Sequence, residues 1–356
     1  MSRLAELHKR LVLSGPKSVG ERLLFFILIP LSILYGGISR VRNICYDSGL
    51  LPVYRGGIPV VSVGNLAAGG TGKTPAVDWL VKQFAQRGKK AAILSRGYGG
   101  SLKAAAGIVA RGDGRLELDA ETAGDEPCLL AKRNPYTPVV VARKRKNGIR
   151  LIEESFSVDV IVLDDGFQHR AVARDFDLVL LDDANPFGNG FPLPAGNLRE
   201  FPRGLRRADY LLLTRSSATG RTSFCGVPAV RARYRLAEDA LSLNRELKSL
   251  AELSNLKLVA FAGIAHPESF FSALESVSQL SLLGKVYLSD HACYDQNLLN
   301  RINHAGRHAD ALITTEKDAV KLAPEMFERP CYQVPLVLDM EQESDLVDLI
   351  CSRIWR

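Results

Sequence analysis

Short apolar runs alternate with longer segments of helical periodicity along most of the chain. The longer segments at residues 75–87, 144–154 and 268–277 are typical of amphipathic helices. Strands that alternate with helices favour a mostly parallel sheet covered by helices on both faces, so the pattern predicts an α/β fold. Runs typical of buried strands lie at residues 58–63, 90–94, 138–142, 158–164, 178–181 and 210–213.

The pattern changes after residue 214, and a second, smaller α/β domain is predicted there. Residues 216–226 are small and polar, as in a linker, and residues 230–235 alternate like an exposed strand. Residues 332–338 are expected to pair with that strand as a returning β-ribbon. The predicted division is an amino-terminal membrane-associated helical segment (1–45), a P-loop core (46–225), a smaller α/β domain with linker strands (226–338) and a carboxyl-terminal helix packing back on the core (339–356). Within the smaller domain, strands are expected at 257–262, 284–288 and 311–315.

A 16-residue apolar stretch at residues 23–38 is flanked by basic residues on both sides. As a helix it would be about 24 Å long, shorter than the ~30 Å hydrocarbon core, and Pro30 would kink it. We interpret it as an interfacial helix whose basic ends contact anionic headgroups. A cleaved signal peptide and an apolar helix buried in the core are the alternatives.

The apolar run 58–63 leads directly into a loop reading Gly-Asn-Leu-Ala-Ala-Gly-Gly-Thr-Gly-Lys-Thr-Pro over residues 64–75. Glycines allow backbone N–H groups to converge on an anion, and the following helix presents its positive end to the same anion. Lys73 would reach the β- and γ-phosphates, and the Thr74 hydroxyl would ligate Mg²⁺. The loop therefore predicts a P-loop, although Ala67 replaces the usual leading glycine. A glycine turn without a ligand is the alternative.

A second acidic motif, Asp164-Asp165, ends the apolar run 158–164. A buried strand can aim a carboxylate at Mg²⁺ beside a P-loop threonine. Adjacent residues of a strand point to opposite faces, so one of the two would hold Mg²⁺ and the other would serve water, a side chain or the substrate. Which one holds the metal stays open, and a strand-end Asp can also simply cap a turn.

Two further positions could activate a hydroxyl group. Asp125 and Glu126 open a predicted helix, where an acid could serve as a kinase's base or only as a helix cap. His291 lies in a loop of the smaller domain. It gains a role only if domain closure brings it to an acid, and is otherwise a surface histidine.

The composition narrows the possible partners. Forty-six basic residues against 39 acidic ones give a net charge of +7, which suits an anionic substrate or an anionic membrane surface. No helix-turn-helix, zinc or RNA-binding signature is present, so nucleic acid is not an expected partner. The six cysteines are dispersed without a Cys-x-x-Cys pair, which indicates a reducing, cytoplasmic compartment.

Two other P-loop functions compete with a kinase. ATPases of the chromosome-partitioning or metal-insertase kind usually carry a second lysine near the start of the loop, but no lysine lies between Arg55 and Lys73 here. A membrane-bound nucleotide switch would need no base for a separate substrate. Transfer of phosphate from ATP to an acceptor would distinguish the kinase from both.

Taken together, the motifs resemble those of the tetraacyldisaccharide 4′-kinase family, the lipid A 4′-kinases of Gram-negative bacteria. The resemblance spans residues ~20–321, and the family's P-loop also lacks the leading glycine. The matching runs are Gly64–Pro75, Ser95–Gly100, Gly124–Pro127, Leu163–His169, Pro194–Glu200, Phe261–Ile264, Asp290–His291 and Thr315–Lys321.

The resemblance implies a kinase that transfers the γ-phosphate of ATP to the 4′-hydroxyl of a tetraacyldisaccharide 1-phosphate and forms lipid IVA. It implies ATP and Mg²⁺ as cofactors and a membrane-associated enzyme. We expect the enzyme at the cytoplasmic face of the inner membrane, where anionic lipids surround the lipid substrate, and we expect a monomer. A lipid with four acyl chains stays in the bilayer, so the enzyme must work at its surface. Closure of the second domain would exclude water from ATP.

The same resemblance assigns roles to residues. The family's base corresponds to Asp125, and its histidine partner corresponds to His291. Where the family often reads Asp-His-His, this chain has Asp290-His291-Ala292, so either the second histidine is dispensable or the counterpart is displaced by one position. The complete predicted set is Asp125, His291, Asp165 and Arg199 for catalysis; Gly69, Gly70, Thr71, Gly72, Lys73, Thr74 and Gln168 for ATP; and Thr74, Glu126, Asp164 and Asp165 for the metal.

Overall fold

The computed structural model describes residues 8, 10–12, 15–69, 72–215, 222–278, 280–290 and 292–355. The described residues form a ten-stranded sheet, here the large sheet, and a six-stranded sheet, here the small sheet. The strands are β1 (Val60–Asn65), β2 (Ala91–Ser95), β3 (Gly107–Ala110), β4 (Val139–Val141), β5 (Val160–Asp164), β6 (Phe176–Asp182), β7 (Tyr210–Thr214), β8 (Ser223–Phe224), β9 (Val227–Leu236), β10 (Asp239–Ser242), β11 (Leu247–Ser249), β12 (Leu258–Ala262), β13 (Leu282–Tyr287), β14 (Ala311–Thr315), β15 (Cys331–Val334) and β16 (Leu336–Met340).

The helices vary from single turns to a long amino-terminal element. They are α1 (Val19–Asp47), α2 (Lys73–Gln86), α3 (Ala120–Ala123), α4 (Asp125–Arg133), α5 (Arg145–Ser155), α6 (Leu250–Leu253), α7 (Pro267–Glu275), α8 (Gln296–Gly306), α9 (Glu316–Ala319) and α10 (Glu343–Ile354). The sequence analysis did not predict α8, the single-turn helices α3, α6 and α9, or the strands β3, β8, β10 and β11. The strands and single-turn helices are only two to four residues long, which is too short to show a period. Helix α8 is clearly amphipathic, so its spacing could have predicted it.

The large sheet has the order β16-β9-β7-β6-β1-β5-β2-β4-β3, with β8 paired to β9. Its central strands are parallel, whereas β3, β8 and β16 are antiparallel to their neighbours. Helix α2 and helix α10 pack on one face, and α5 packs on the other. The predicted α/β fold with helices on both faces is confirmed. Because the central strands are parallel, β1, β2, β4 and β5 end at one edge of the sheet, and the loops that follow them meet there.

The small sheet has the order β11-β10-β15-β14-β12-β13, with α6 and α7 on one face and α8 on the other. Strands β9 and β16 run antiparallel to each other, and each leads to or from the small sheet. The predicted return ribbon is therefore present, but its second strand is Leu336–Met340. The expected bounds of 332–338 were wrong, because Cys331–Val334 forms β15 and pairs inside the small sheet.

Residues 230–235 form a strand as predicted, but the prediction that this strand is exposed was wrong. The strand expected at 230–235 to be exposed extends over Val227–Leu236, and Val230, Arg231 and Ala232 are buried. It pairs with β7 inside the large sheet rather than standing free. Arginines at alternate positions are typical of a solvent-exposed strand. In the folded chain Arg231 is buried, whereas Arg233 and Arg235 remain exposed.

Helix α1 is longer than the apolar stretch that predicted it. Ser18 caps its amino terminus in a capping box with Glu21, and the helix continues past Pro30 for 29 residues in total, or about 44 Å. By length and composition alone it could span a membrane, a test that a signal sequence would also pass. The expectation of a short helix was wrong, because the flanking polar residues extend it.

The buried face of α1 is polar and small, and its apolar face is exposed. Ser32, Gly36, Ser39 and Asn43 face the protein. Only 17% of the most apolar 18-residue stretch of α1 is buried, so the alternative of an apolar helix buried in the core is excluded. Its exposed apolar side chains are Val19, Leu23, Phe26, Ile27, Leu31, Ile33, Leu34, Tyr35, Ile38, Val41 and Ile44.

Candidate active site

The P-loop connects β1 to α2 at the carboxyl edge of the large sheet. Gly64 must be a glycine, since a Cβ there would lie 2.6 Å from the Cβ of Phe167. Gly69 and Gly72 adopt positive φ angles of 121° and 77°, which side chains other than hydrogen rarely allow. Helix α2 begins at Lys73, so the loop delivers its lysine at a helix amino terminus. Gly70 and Thr71 lie outside the described residues.

Lys73 lies within a cluster of polar groups at this edge. Its Nζ lies 3.4 Å from the Oδ1 of Asn65 and 3.4 Å from the Oδ1 of Asp165. The side chain is only 11% exposed. A nearly buried ammonium in a glycine loop is suited to hold phosphate oxygens. Asn65 was not among the predicted site residues, although it belongs to the loop motif.

Asp165 connects the P-loop lysine to Arg199. Arg199 donates from Nη1 to both carboxylate oxygens of Asp165 at 2.8 Å, and to the Oε1 of Gln168 at 3.3 Å. Burial alone would raise the pKa of Asp165, but the charges of Lys73 and Arg199 outweigh it, and the pKa lies below its usual value. The structure therefore brings together four of the predicted residues: Lys73, Asp165, Gln168 and Arg199.

Asp164 is the buried partner of this pair. Its Oδ2 accepts a hydrogen bond from the Ser95 hydroxyl at 2.8 Å, while its Oδ1 is buried without a hydrogen-bond partner. Burial raises the pKa of Asp164 to about 6, and the charges of Glu126 and Asp165 add to the effect.

The expected division of Asp164 and Asp165 onto opposite faces of a strand was wrong. Strand β5 ends at Asp164, and Asp165 has a φ of 52°, in the left-handed region. The strand alternation therefore stops before the second acid. The turn directs Asp165 toward Lys73 and Arg199, while Asp164 stays in the sheet beside Ser95.

A metal at this edge would meet oxygen ligands only. The Oδ1 of Asp164 is a buried acceptor without a hydrogen-bond partner. Thr74 follows Lys73 in the first turn of α2 and adds a hydroxyl oxygen at the same edge. Among the described residues, no group of three or more His, Cys, Asp or Glu side chains is placed to hold a metal by itself. This donor set fits Mg²⁺, which keeps several waters and shares substrate phosphates instead of requiring a complete protein cage.

Arg145 is a buried residue beside the site that the sequence analysis did not single out. It is fully buried at the start of α5 and donates to the backbone carbonyls of Ala142 and Asp164 at 2.8 and 2.9 Å. Burial lowers its pKa to about 10, although the charges of Asp164 and Asp165 oppose the shift. The arginine holds the ends of β4 and β5 together. Its position in a run of basic residues concealed this role.

The candidate base lies at the first turn of α4. Asp125 follows Gly124, whose φ is 98°, and its Oδ2 accepts a hydrogen bond from the Nζ of Lys321 at 3.0 Å. Lys317 contributes a second cation, 3.9 Å from the Oε1 of Glu126 and 3.3 Å from the Oδ1 of Asp290. Both lysines come from the segment after β14 of the small sheet. The two parts of the molecule therefore meet at the candidate base.

The buried Asp318 fixes the position of residues 316–321, the segment that carries Lys317 and Lys321. Its Oδ1 accepts from the Tyr294 hydroxyl, and its Oδ2 accepts from the Thr315 hydroxyl, both at 2.7 Å. The backbone of Gly263 also donates to it. Lys321 lies over the Tyr294 ring and donates to the carbonyl of Ala292. His291 lies outside the described residues, but its neighbours Asp290 and Ala292 both contact these lysines.

Comparisons with known proteins identify the family of the chain. The family model for tetraacyldisaccharide-1-P 4′-kinase, LpxK, matches residues 24–354. The chain belongs to this family.

Relatives in other bacteria carry the same name. A tetraacyldisaccharide 4′-kinase from Syntrophotalea carbinolica is 48% identical over 97% of both chains, and one from Geobacter sulfurreducens is 43% identical over 85% of both. A crystal structure of LpxK from Aquifex aeolicus in complex with ATP aligns with a TM-score of 0.78 at 32% identity. It covers 93% of this chain and 100% of that one. The resemblance read from the motifs is confirmed.

Proposed function

We propose that this chain transfers the γ-phosphate of ATP to the 4′-hydroxyl of a tetraacyldisaccharide 1-phosphate, the reaction that gives its family its name. The observation that carries the proposal is the meeting of two halves of a site. The P-loop lysine Lys73 contacts the carboxylate of Asp165 at the edge of the large sheet. A further carboxylate, Asp125, contacts Lys321 from the segment that follows β14 of the small sheet. Such an arrangement suits transfer between two substrates.

ATP would lie across the P-loop. Lys73 and the amino terminus of α2 would hold its phosphates, with the glycines at 69, 70 and 72 and the hydroxyls of Thr71 and Thr74 completing the loop. Arg199 would stabilise charge on the transferring phosphoryl group, as a positioned guanidinium does in other phosphoryl transferases. Gln168, bonded to Arg199, would hold it toward the nucleotide.

Asp125 is the proposed base. It would accept the proton of the 4′-hydroxyl as the oxygen attacks the γ-phosphorus, while the bond to the β-phosphate oxygen breaks and ADP leaves. His291 would approach from the small sheet and support the base. Lys321 contacts the same carboxylate and would orient it.

Mg²⁺ would be held by Asp164 and Thr74, with Asp165 and Glu126 near it. Bound there, the ion would neutralise charge on the β- and γ-phosphates. The unpartnered Oδ1 of Asp164 supports this assignment, because a buried carboxylate oxygen without a partner is otherwise costly.

To reach a lipid substrate, the enzyme would have to bind to the membrane surface. The exposed apolar face of α1 would enter the bilayer on the cytoplasmic side of the inner membrane, where ATP is available, and basic residues beside it would contact anionic headgroups. In this proposal the protein acts as a monomer, and one chain supplies the groups named for ATP, Mg²⁺ and the base. None of them requires nucleic acid.

The test is phosphate transfer with purified protein. With γ-labelled ATP, Mg²⁺ and a tetraacyldisaccharide 1-phosphate in detergent, we expect label on the lipid and a mass increase of one phosphate group. Removal of Mg²⁺ with a chelator should abolish transfer. Hydrolysis of ATP without a labelled lipid would favour the ATPase alternative instead, and binding without turnover would favour a nucleotide switch.

A further inference from the structure

Residues 191–201, here the bridging segment, lie between the amino-terminal helix and the P-loop. On one side the backbone of Ala195 donates to the Ser32 hydroxyl of α1 at 2.7 Å, and a Cβ at Gly36 would overlap the ring of Phe201. On the other side the Leu66 carbonyl accepts from the backbone of Arg199 at 2.9 Å. One stretch of chain is therefore packed against both elements.

A polar side chain of α1 makes a direct bond into this segment. Asn43 is 8% exposed, and its Nδ2 donates to the Oε2 of Glu200 at 2.8 Å. Glu200 itself is 2% exposed, and Arg207 donates to both its oxygens at 2.8 Å. Burying an amide and a carboxylate is costly unless both are hydrogen-bonded, so the pair fixes how the helix sits.

The hydrogen bonds continue from Glu200 to the nucleotide site. Gln168 donates to the Oε1 of Glu200 at 3.2 Å, and its own Oε1 accepts from Arg199 at 3.3 Å. Arg199 contacts Asp165, which contacts Lys73. An unbroken series of side-chain contacts thus joins a helix whose outer face is apolar to the lysine of the P-loop.

We propose that Asn43 is a positioning residue that couples the packing of α1 against the bridging segment to ATP binding. Helix α1 is called seated when it is packed in this way. The proposal rests on the nucleotide site described above. When α1 is seated, Asn43 holds Glu200, Glu200 orients Gln168, and Gln168 holds Arg199 toward the phosphates. By thermodynamic reciprocity, bound ATP stabilises the seated helix to the same extent.

The deciding variant is Asn43→Leu, which keeps the size of the side chain and removes the donor. We expect its dissociation constant for a non-hydrolysable ATP analogue with Mg²⁺, measured by calorimetry without lipid, to rise about fivefold or more, in the range of ordinary coupling between sites. Ser32→Ala is the matched control. It removes a hydrogen bond between α1 and the same segment but touches no member of the Glu200 series, so its affinity should stay within about twofold of wild type.

A double-mutant cycle separates coupling from general loosening of the helix. Asn43→Leu combined with Gln168→Met should weaken analogue binding no more than the stronger single variant, because both changes break the same series. Ser32→Ala combined with Gln168→Met should be additive. Should Asn43→Leu fail to fold, Asn43→Ser replaces it in the same cycle.

Two results would overturn the proposal. One is an Asn43→Leu protein that unfolds at a lower temperature but binds the analogue like wild type, since a merely structural asparagine would behave so. The other is additive losses in the Asn43 cycle. A wild-type protein that does not bind the analogue at all would instead count against the nucleotide site itself.

Discussion

At the scale of single residues, the site contains acids in three different electrostatic settings. Asp165 is held ionised by two cations, Asp164 is buried with one free oxygen, and Asp125 lies against an ammonium group of the small sheet. Carboxylates of the same chemistry can therefore take different tasks. The sequence could name all three acids, but their environments come from residues distant in sequence.

The role of Asp125 predicts a selective kinetic defect. Asp125→Asn should lower kcat by about 10²–10⁴-fold, the usual contribution of a general base, with little change in the affinity for ATP. Steady-state transfer assays and analogue binding measure the two quantities separately. Asp113→Asn, in an exposed loop, is the control and should behave like wild type. An unchanged kcat in Asp125→Asn would remove this residue from the mechanism.

His169 predicts a pH-dependent contribution to stability. Burial lowers its pKa from 6.5 to about 4, and the charges of Arg145 and Arg96 add to the shift. Between those values the unfolded chain binds a proton that the folded chain does not, so this residue's contribution to the free energy of unfolding falls as the pH falls. Asp164 acts in the opposite direction between about pH 6 and 3.8, because its folded pKa is raised.

Comparison with a variant isolates the histidine from the acid. The free energy of unfolding of His169→Asn, relative to wild type, should improve steadily as the pH is lowered from 6.5 toward 4, as measured by urea denaturation. The exposed His308→Asn serves as the control and should give a difference that does not vary in this way. Parallel pH curves for His169→Asn and wild type would contradict the assignment.

At the scale of elements, α1 reverses the usual arrangement of a surface helix. Serines, a glycine and an asparagine face the protein, and leucines, isoleucines and phenylalanine face outward. An apolar face exposed to water is unfavourable, whereas a bilayer would solvate it. The small residues on the other face allow α1 to pack closely against the rest of the protein.

This reversal predicts how the protein binds vesicles. Phe26 and Leu34 are 68% and 61% exposed, and replacing both with Glu should weaken binding to vesicles containing phosphatidylglycerol by at least about tenfold, because each apolar side chain contributes roughly 1.5–3 kcal/mol when buried. Flotation assays measure the bound fraction. The double variant Tyr136→Glu, Leu247→Glu, whose side chains are 87% and 66% exposed outside α1, should float like wild type. Equal flotation of both double variants would refute the docking role of α1.

At the scale of the whole molecule, a buried arginine joins the two sheets. Arg133, at the end of α4, bonds to Asp78 of α2, to Glu316 of α9 and to the carbonyl of Leu336. Burial would lower its pKa, but Glu316 and Asp78 outweigh that effect and raise it. The same helix carries Asp125 at its other end, so this ion-pair cluster fixes the orientation of the candidate base relative to the small sheet.

Breaking the cluster should destabilise the fold. Arg133→Met removes the cation that pairs with the largely buried Glu316 and leaves Asp78 with only the exposed Lys82, and we expect a loss of about 3–5 kcal/mol in the free energy of unfolding, as measured by chemical denaturation. Lys82 contacts the same Asp78 oxygen from an exposed position, so Lys82→Met is the control and should cost less than about 1 kcal/mol. Equal effects of the two substitutions would show that Arg133 does not join the sheets.

The features that could be predicted from the sequence are those formed by residues close together in the chain. The strands that lead into the P-loop and to Asp164 are continuous apolar runs, and the glycines between them serve a backbone need that no other residue meets, so sequence spacing suffices to locate them. Ser95, Arg145, Lys321 and Glu200 were missed as site residues although several lie within the matching motifs. Their importance depends on partners up to 196 positions away in the chain, as Lys321 and Asp125 show.

The sequence by itself determined that the chain has a nucleotide loop, an acidic strand end and an apolar amino-terminal segment, because each depends on residues close together in the chain. Tertiary structure alone decided which face of α1 is buried, that β9 joins the large sheet, and how Asp164 and Asp165 diverge. It also decided that lysines of the small sheet meet Asp125. These features depend on which distant groups exclude water from one another, and burial and charge pairing are properties of the folded chain.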